Sequence, residues 1–219
     1  HLLTVTAPQQ PGPLARVVLL AGPSGCGKTF LARSLGVPMI SLDNFYRVGE
    51  DRDLPRSPDG AIDWESPRSW NTDGARRALN VLCRTGQAQV PAYRHGQGRT
   101  DGFRPISLDG SPVVVAEGLF AGELIEPLRA DGLVADAVFV AGNRWFTFGR
   151  RLRRDVREHR GPLHELLRQG IEKVRDEPKV VRTLRAQGLR HATPEEVRDL
   201  VAGLKARGLP HVATACSNH

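Results

Sequence analysis

The sequence predicts an α/β domain in three layers, a parallel sheet between helices, and three observations carry that reading. Apolar runs of strand length recur at residues 16–22 (RVVLLAG), 37–43 (VPMISLD), 112–118 (PVVVAEG) and 136–142 (DAVFVAG). Stretches of helical periodicity separate them, at 29–35, 73–84 and 120–130. Three of the runs end in Gly and one in Asp, as strands do when they hand the chain to a site at their carboxyl ends. Runs that are apolar at nearly every position belong to strands covered on both faces, which is the condition of a parallel sheet.

The elements follow in order. Residues 1–14 begin HLLTVTAPQQPG and read as a disordered lead-in, because their Pro, Gln and Gly string offers no periodicity. The folded domain is expected over 15–209, with a tail over 210–219. After the second apolar run, residues 44–72 (NFYRVGEDRDLPRSPDGAIDWESPRSWNT) are polar, Pro-rich and too long for a passive connection. Residues 89–110 then read as two short strands around a Gly-rich turn, a hairpin appended to the sheet. Together 44–111 form an insertion that carries function on a rigid scaffold. Trp64, Trp70, Tyr46 and Tyr93 give it apolar surface to bury. Downstream the pattern is helical, with a start at TPEEV where Thr193 is the N-cap and Pro194 follows.

Composition narrows the class. With 219 residues, 40% of them apolar and 25% charged, the chain has the make-up of a globular domain whose core needs no disulfides. No apolar run approaches the roughly 20 residues of a membrane helix. The opening residues lack the basic segment and long apolar stretch of a secretory leader, so a cytoplasmic protein is expected. Cys26, Cys83 and Cys216 are too scattered for a zinc or redox pair. The formal charge is +7, but residues 144–160 hold seven arginines against Asp155 and Glu158. Charge gathered in one cluster suits a compact polyanion such as a triphosphate better than an extended nucleic acid.

The phosphate site is the most specific signal. Gly22, Pro23, Ser24, Gly25, Cys26, Gly27, Lys28 and Thr29 fit G-x-x-x-x-G-K-[ST], between a strand and a helix. Glycines let successive backbone N–H groups turn inward around an oxyanion, and Cys26 serves there as a small side chain. Lys28 reaches the β- and γ-phosphates, and the Thr29 hydroxyl is placed for Mg²⁺. The fold is therefore expected to be the P-loop NTPase sandwich, with ATP and Mg²⁺ as cofactors. A guanine-reading N-K-x-D and a transporter-type LSGGQ are both absent from the sequence.

Two acids complete the chemistry. Asp43, in SLDNFYR, ends the second apolar run beside the phosphate loop; a carboxylate there can take the proton of an attacking hydroxyl, or else cap the following turn. Glu117, in VVVAEG, ends another run and suits a role in the metal's water shell, or that of a buried structural acid. In residues 144–160, Trp145, Phe148, Leu152 and Val156 recur at helical spacing, leaving Arg150, Arg153, Arg154 and Arg157 to project elsewhere.

From residue 16 to about 177 the chain resembles the uridine/cytidine kinase family of P-loop nucleoside kinases, within the phosphoribulokinase/uridine kinase superfamily. The resemblance rests on GPSGCGKT, on SLDNFYR against S-x-D-x-F-Y-R, on DWESP against N-F-D-H-P, on PAYR against P-x-Y-D and on VVVAEG against V-V-x-x-E-G. It implies transfer of the ATP γ-phosphoryl to a hydroxyl of a nucleoside-like acceptor, with Asp43 as base and Lys28 at the phosphates. It further implies that Tyr46 lines the acceptor pocket, Glu65 binds the ribose hydroxyls and Tyr93 packs on the base. Arg151 and Arg154, with Arg150 and Asp155, match a lid helix over residues 144–162 that closes on the phosphates and excludes water. Gln169 matches a glutamine that touches substrate. The chain departs from the family where the base is read: a histidine five residues beyond the hairpin tyrosine is here Gly98, with His95 nearby in another register. The lid's later R-G-R is HRG, at Arg160 and Gly161.

Two rivals stay open beside this reading. One is a kinase for another acceptor, such as pantothenate, a phosphosugar or a modified biosynthetic nucleoside. The other, from a different class, is a nucleotide-dependent regulator or nucleic-acid module that uses the basic cluster. Self-association into a homo-oligomer is compatible with the sequence.

Overall fold

In the computed structural model, which describes residues 12–49, 51–57, 60–94, 98–142, 149, 153 and 163–208, five parallel strands form the central sheet. They are β1 (Arg16–Ala21), β2 (Met39–Ser41), β5 (Val113–Glu117), β6 (Val134–Phe139) and β7 (Arg190–His191), in the order β2-β5-β1-β6-β7. The helices are α1 (Lys28–Ser34), α2 (Thr72–Thr85), α3 (Ile125–Ala130), α4 (Leu163–Ala186) and α5 (Pro194–Arg207). The predicted α/β class and its four central strands are present; β7 is an addition that two exposed residues could not announce.

Alternation along β1 shows why the strands read as continuously apolar. Val17, Leu19 and Ala21 enter one core cluster with Ala75, Leu79 and Leu82 of α2, Ile125 and Leu128 of α3, and Leu184 of α4. Val18 and Leu20 enter the other, with Leu31 and Ala32 of α1 and Val197 and Val201 of α5. All five β1 side chains named here are fully buried, so no position from Val17 to Ala21 is free to be polar. The predicted helix start at Thr193 is a capping box. Its hydroxyl accepts from the Glu196 N–H at 3.2 Å, and the Glu196 carboxylate accepts from the Thr193 N–H at 2.7 Å.

The hairpin corrects an expectation. Strands β3 (Gln87–Arg94) and β4 (Arg99–Ser107) are longer than predicted and form their own two-stranded sheet, with no backbone ladder to the central one. Two strands alone are marginal in water. Here they are held by side-chain packing instead: Ala88 and Val90 lie in the α2-side core and Leu108 N–H bonds to Gly86 O. The region expected to be a helix at 120–130 begins as a tighter turn, Ala121–Leu124, before α3. Among the described residues no helix is long and apolar enough to cross a membrane.

The strand order places the site. From β1 the chain moves outward to β2 on one side and later to β6 on the other. Connections leaving the carboxyl end of β1 therefore diverge, and a crevice opens there.

Candidate active site

The phosphate loop grows directly out of β1. Gly22 has φ +153°, and a Cβ on it would stand 2.4 Å from the Val140 carbonyl oxygen and 2.9 Å from Cys26 Sγ, so only glycine fits. Gly27 adopts the left-handed conformation at φ 93° and starts α1 without any side-chain cap. An amide-lined turn without a capping oxygen leaves its N–H groups for an anion. Burial pushes the Cys26 thiol above its ordinary range, with Lys28 opposing, which fits a small packing side chain and not a reactive thiolate.

Strand register brings the acids to this loop. Glu117, the last residue of β5, is paired with Leu20 of β1 and with Ser41 of β2, so three strand ends stand in a row. Its side chain is 1% exposed, and its carboxylate accepts a 3.2 Å hydrogen bond from the Thr29 hydroxyl. Burial raises the Glu117 carboxyl above its ordinary value. Lys28 opposes that shift, Asp43 adds to it, and hydrogen bonds from Ser41 and Thr29 oppose it. Lys28, Thr29, Ser41 and Asp43 thus all stand close enough to act on the Glu117 carboxylate.

Asp43 lies two residues beyond β2 in a turn, Leu42–Phe45, and is half-buried. Its Oδ1 would be 3.3 Å from a Cβ placed on Gly118, which fixes it beside Glu117. The oxygen-only set of Thr29, Glu117 and Asp43 fits a hard, six-coordinate cation that keeps several waters. Among the described residues no group of three or more His, Cys, Asp or Glu could hold a metal by itself, so phosphate oxygens and water would complete the shell.

Aromatic rings fill the ground beside Asp43. The Tyr46 ring centroid is 5.8 Å from Trp64, 5.8 Å from Tyr93 and 5.9 Å from Phe120. Burial, then Asp43, Glu65 and Tyr93, push the Tyr46 hydroxyl above its ordinary range. That ring is thus within electrostatic reach of three of the predicted site residues. Tyr93 is 9% exposed and its hydroxyl donates to the Arg47 carbonyl at 3.4 Å. Glu65 is exposed on the strap, residues 63–71, that carries Trp64. Gly98, at φ +60°, closes the hairpin onto the loop: its carbonyl accepts from Gly49 N–H at 2.6 Å, with Trp64 packed against both glycines.

The described residues thus bring together Lys28, Thr29, Asp43, Glu117, Tyr46, Tyr93 and Glu65. His95, Arg151 and Arg154 lie outside the described residues, as do Arg160 and Gly161; Gln169 is placed only as a residue of α4. Sequence reasoning missed Ser41, Phe120 and Gly118. Ser41 stands within the SLDNFYR signature, Gly118 follows Glu117 directly and Phe120 comes two residues after that. A cavity of about 1200 Å³ between α2 and the hairpin borders residues 44–48 and Trp70 but none of Lys28, Thr29, Asp43 or Glu117. It is not the phosphate crevice.

Comparisons with known proteins place the chain in a family. The profile of the Phosphoribulokinase / Uridine kinase family matches residues 17–184. The chain is similar to the inorganic pyrophosphatase TTM2 of Arabidopsis thaliana, 31% identical over 163 residues, which are 72% of this chain and 22% of that protein. It is also similar to the uridine kinase of Saccharomyces cerevisiae, 29% identical over 147 residues, 64% of this chain and 29% of that protein. The chain spans less than a third of the length of these curated relatives. A solved structure named for a fructose transport system kinase of Silicibacter sp. TM1040 shares 17% identity and a TM-score of 0.58. The likeness covers 86% of this chain and 93% of that one, and it supports the fold. With the profile covering most of its length, this chain belongs to the phosphoribulokinase/uridine kinase family.

Proposed function

We propose that the chain transfers the γ-phosphoryl of ATP to a hydroxyl of a nucleoside-like small molecule. The observation that carries this reading is the meeting of two unlike halves at one sheet edge. Lys28 and Thr29 belong to the glycine cradle and Glu117 stands against them, while Asp43 stands beside both Glu117 and a packed cluster of aromatic rings. A hydrolase needs only the first half. Apolar ring surface beside the base suits an organic acceptor and excludes water, its competitor.

In this reading the cradle amides and Lys28 hold the β- and γ-phosphates. Asp43 accepts the proton of the attacking hydroxyl as its oxygen bonds to the γ-phosphorus and the bond to the β–γ bridging oxygen breaks, leaving ADP. Thr29 and Glu117 would hold Mg²⁺, which neutralises charge on the phosphates when bound. Arg151 and Arg154 are assigned to charge stabilisation by the lid, and Glu65, Tyr46, Tyr93, His95 and Gln169 to the acceptor. Gly98 packed on Gly49 leaves no side chain at the position where the family reads a pyrimidine, so the acceptor need not be uridine.

The name of the Arabidopsis relative favours a second reading, hydrolysis of diphosphate bonds, although this chain matches 22% of that protein. One experiment separates the two. ADP release is followed with uridine, cytidine, pantothenate and ribulose 5-phosphate, and inorganic phosphate is measured in parallel with ATP and with pyrophosphate. Acceptor-dependent ADP without phosphate release supports transfer. Phosphate from pyrophosphate, with no acceptor dependence, overturns it.

A further inference from the structure

Asp43 is flanked by two contacts to which the proposed chemistry assigns no part. On one side, the indole Nε1 of Trp70 donates a 2.7 Å hydrogen bond to the carbonyl oxygen of Leu42. Trp70 is 4% exposed, and its ring lies 5.6 Å from Phe120, itself a neighbour of Tyr46. A buried indole N–H needs an acceptor, and this acceptor belongs to the peptide that ends at the Asp43 nitrogen. Because that peptide is planar, fixing its oxygen fixes the direction in which the Asp43 Cα begins.

On the other side stands Gly118. A Cβ there would meet Leu42 Cβ at 2.7 Å, Leu42 Cα at 3.5 Å and Asp43 Oδ1 at 3.3 Å. Leu42 is fully buried between the two, so its peptide has no slack. The strap that carries Trp70 is itself seated on residues 42–47: Arg47 N–H donates to the Ser69 carbonyl at 2.9 Å and Asn71 N–H to the Phe45 carbonyl at 2.9 Å. The Ser69 hydroxyl closes the strap on the Asp63 carbonyl, next to Trp64 and Glu65.

We infer that Trp70 and Gly118 are positioning residues for Asp43, the indole N–H and the bare glycine face holding the Leu42–Asp43 peptide from opposite sides so that the carboxylate is aimed at the cradle. The inference rests on the reading of Asp43 as the base. It also links acceptor recognition to catalysis, because the segment bearing Glu65 and Trp64 is the one that supplies the indole.

Two variants test it from opposite directions. Trp70→Phe keeps a ring against Phe120 and removes the donor. Gly118→Ala pushes the same peptide from the far side, at a position whose φ does not require glycine. Each is expected to lower kcat about tenfold to a hundredfold, with KM for ATP and affinity for a non-hydrolysable ATP analogue held within about twofold of wild type. Turnover is measured with the acceptor panel above. In a readout that needs no turnover, the ¹³C carboxyl resonance of Asp43, assigned by its loss in Asp43→Asn, should move in both variants. Wild-type kcat together with an unmoved resonance overturns the inference, and so does an equal loss of nucleotide affinity, which marks general loosening. The Asp43→Asn control separates the levels: if it is inactive while both variants behave as wild type, only this inference falls, whereas if it turns over normally the assignment of the base falls with it.

Discussion

The two halves of the site are built in opposite ways. The phosphate half is one continuous piece of chain, strand β1, the glycine loop and α1, completed by a single distant acid in Glu117. The proposed acceptor half is gathered from four separate places: the turn after β2, the strap at 63–71, the hairpin and the residues following β5. Binding a phosphate asks for backbone N–H groups and a lysine at fixed spacing, which adjacent residues can supply. Recognising an organic acceptor asks for surfaces at several angles, which only long-range contacts can bring together. The first half is therefore constrained residue by residue, while the second can be rebuilt one segment at a time around the same chemistry. Gly98, standing where the family has a histidine, is one such change.

The largest effect should come from the residue that joins the halves. Asp43→Asn is expected to lower transfer by about 10²–10⁴-fold while leaving binding of a fluorescent ATP analogue intact; Lys28→Ala should weaken both. If Asp43→Asn also lost nucleotide, the two halves would not be separable. Next in size is Glu117→Gln, which should reduce activity about tenfold to a hundredfold and yet raise Tm. Burial holds the Glu117 carboxyl above its ordinary value in the folded chain, so its ionised form opposes folding at neutral pH. Removing that charge should stabilise the fold, read as a rise in Tm by calorimetry. Acceptor-side truncation is expected to be milder and selective: Glu65→Ala should raise the acceptor KM about tenfold with KM for ATP unchanged.

The smallest effect on activity, none, is expected at Asp131, far from both halves. Arg76 hydrogen-bonds this carboxylate, at 2.6 and 2.8 Å, and Asn80 adds a third bond at 2.7 Å. These contacts hold its pKa down to about 2, against an ordinary 3.8. A depressed carboxylate contributes stability that is fully present above 3.8 and is lost as pH falls toward 2. Asp131→Asn should therefore lower Tm at pH 7, and by progressively less as pH falls from 3.8 through about 2, with turnover at pH 7 unaffected.

What the sequence made legible follows the same division. The glycine loop with Lys28 and Thr29 stands in one spaced motif, both acids end apolar runs that become neighbouring strands, and the Thr193 capping box is likewise local. Strand β7 has two exposed residues and no periodicity to show. The hairpin's independence from the main sheet depends on where Ala88 and Val90 find a core, which no local pattern states. Trp70 could be read as apolar surface in need of burial. That its indole would reach Leu42, 28 residues away, is a fact of the fold alone. Ser41 was in plain view inside the SLDNFYR signature, but only the register with Glu117 gives its hydroxyl a purpose.

The claim that ties these residues together is that the γ-phosphoryl leaves ATP for an organic hydroxyl and not for water. Its most direct test is turnover in H₂¹⁸O with the acceptor panel, followed by mass spectrometry of the products. A phosphomonoester whose phosphoryl oxygens contain no solvent label is expected, formed in step with ADP. Inorganic phosphate carrying one ¹⁸O as the sole phosphorylated product besides ADP would contradict it.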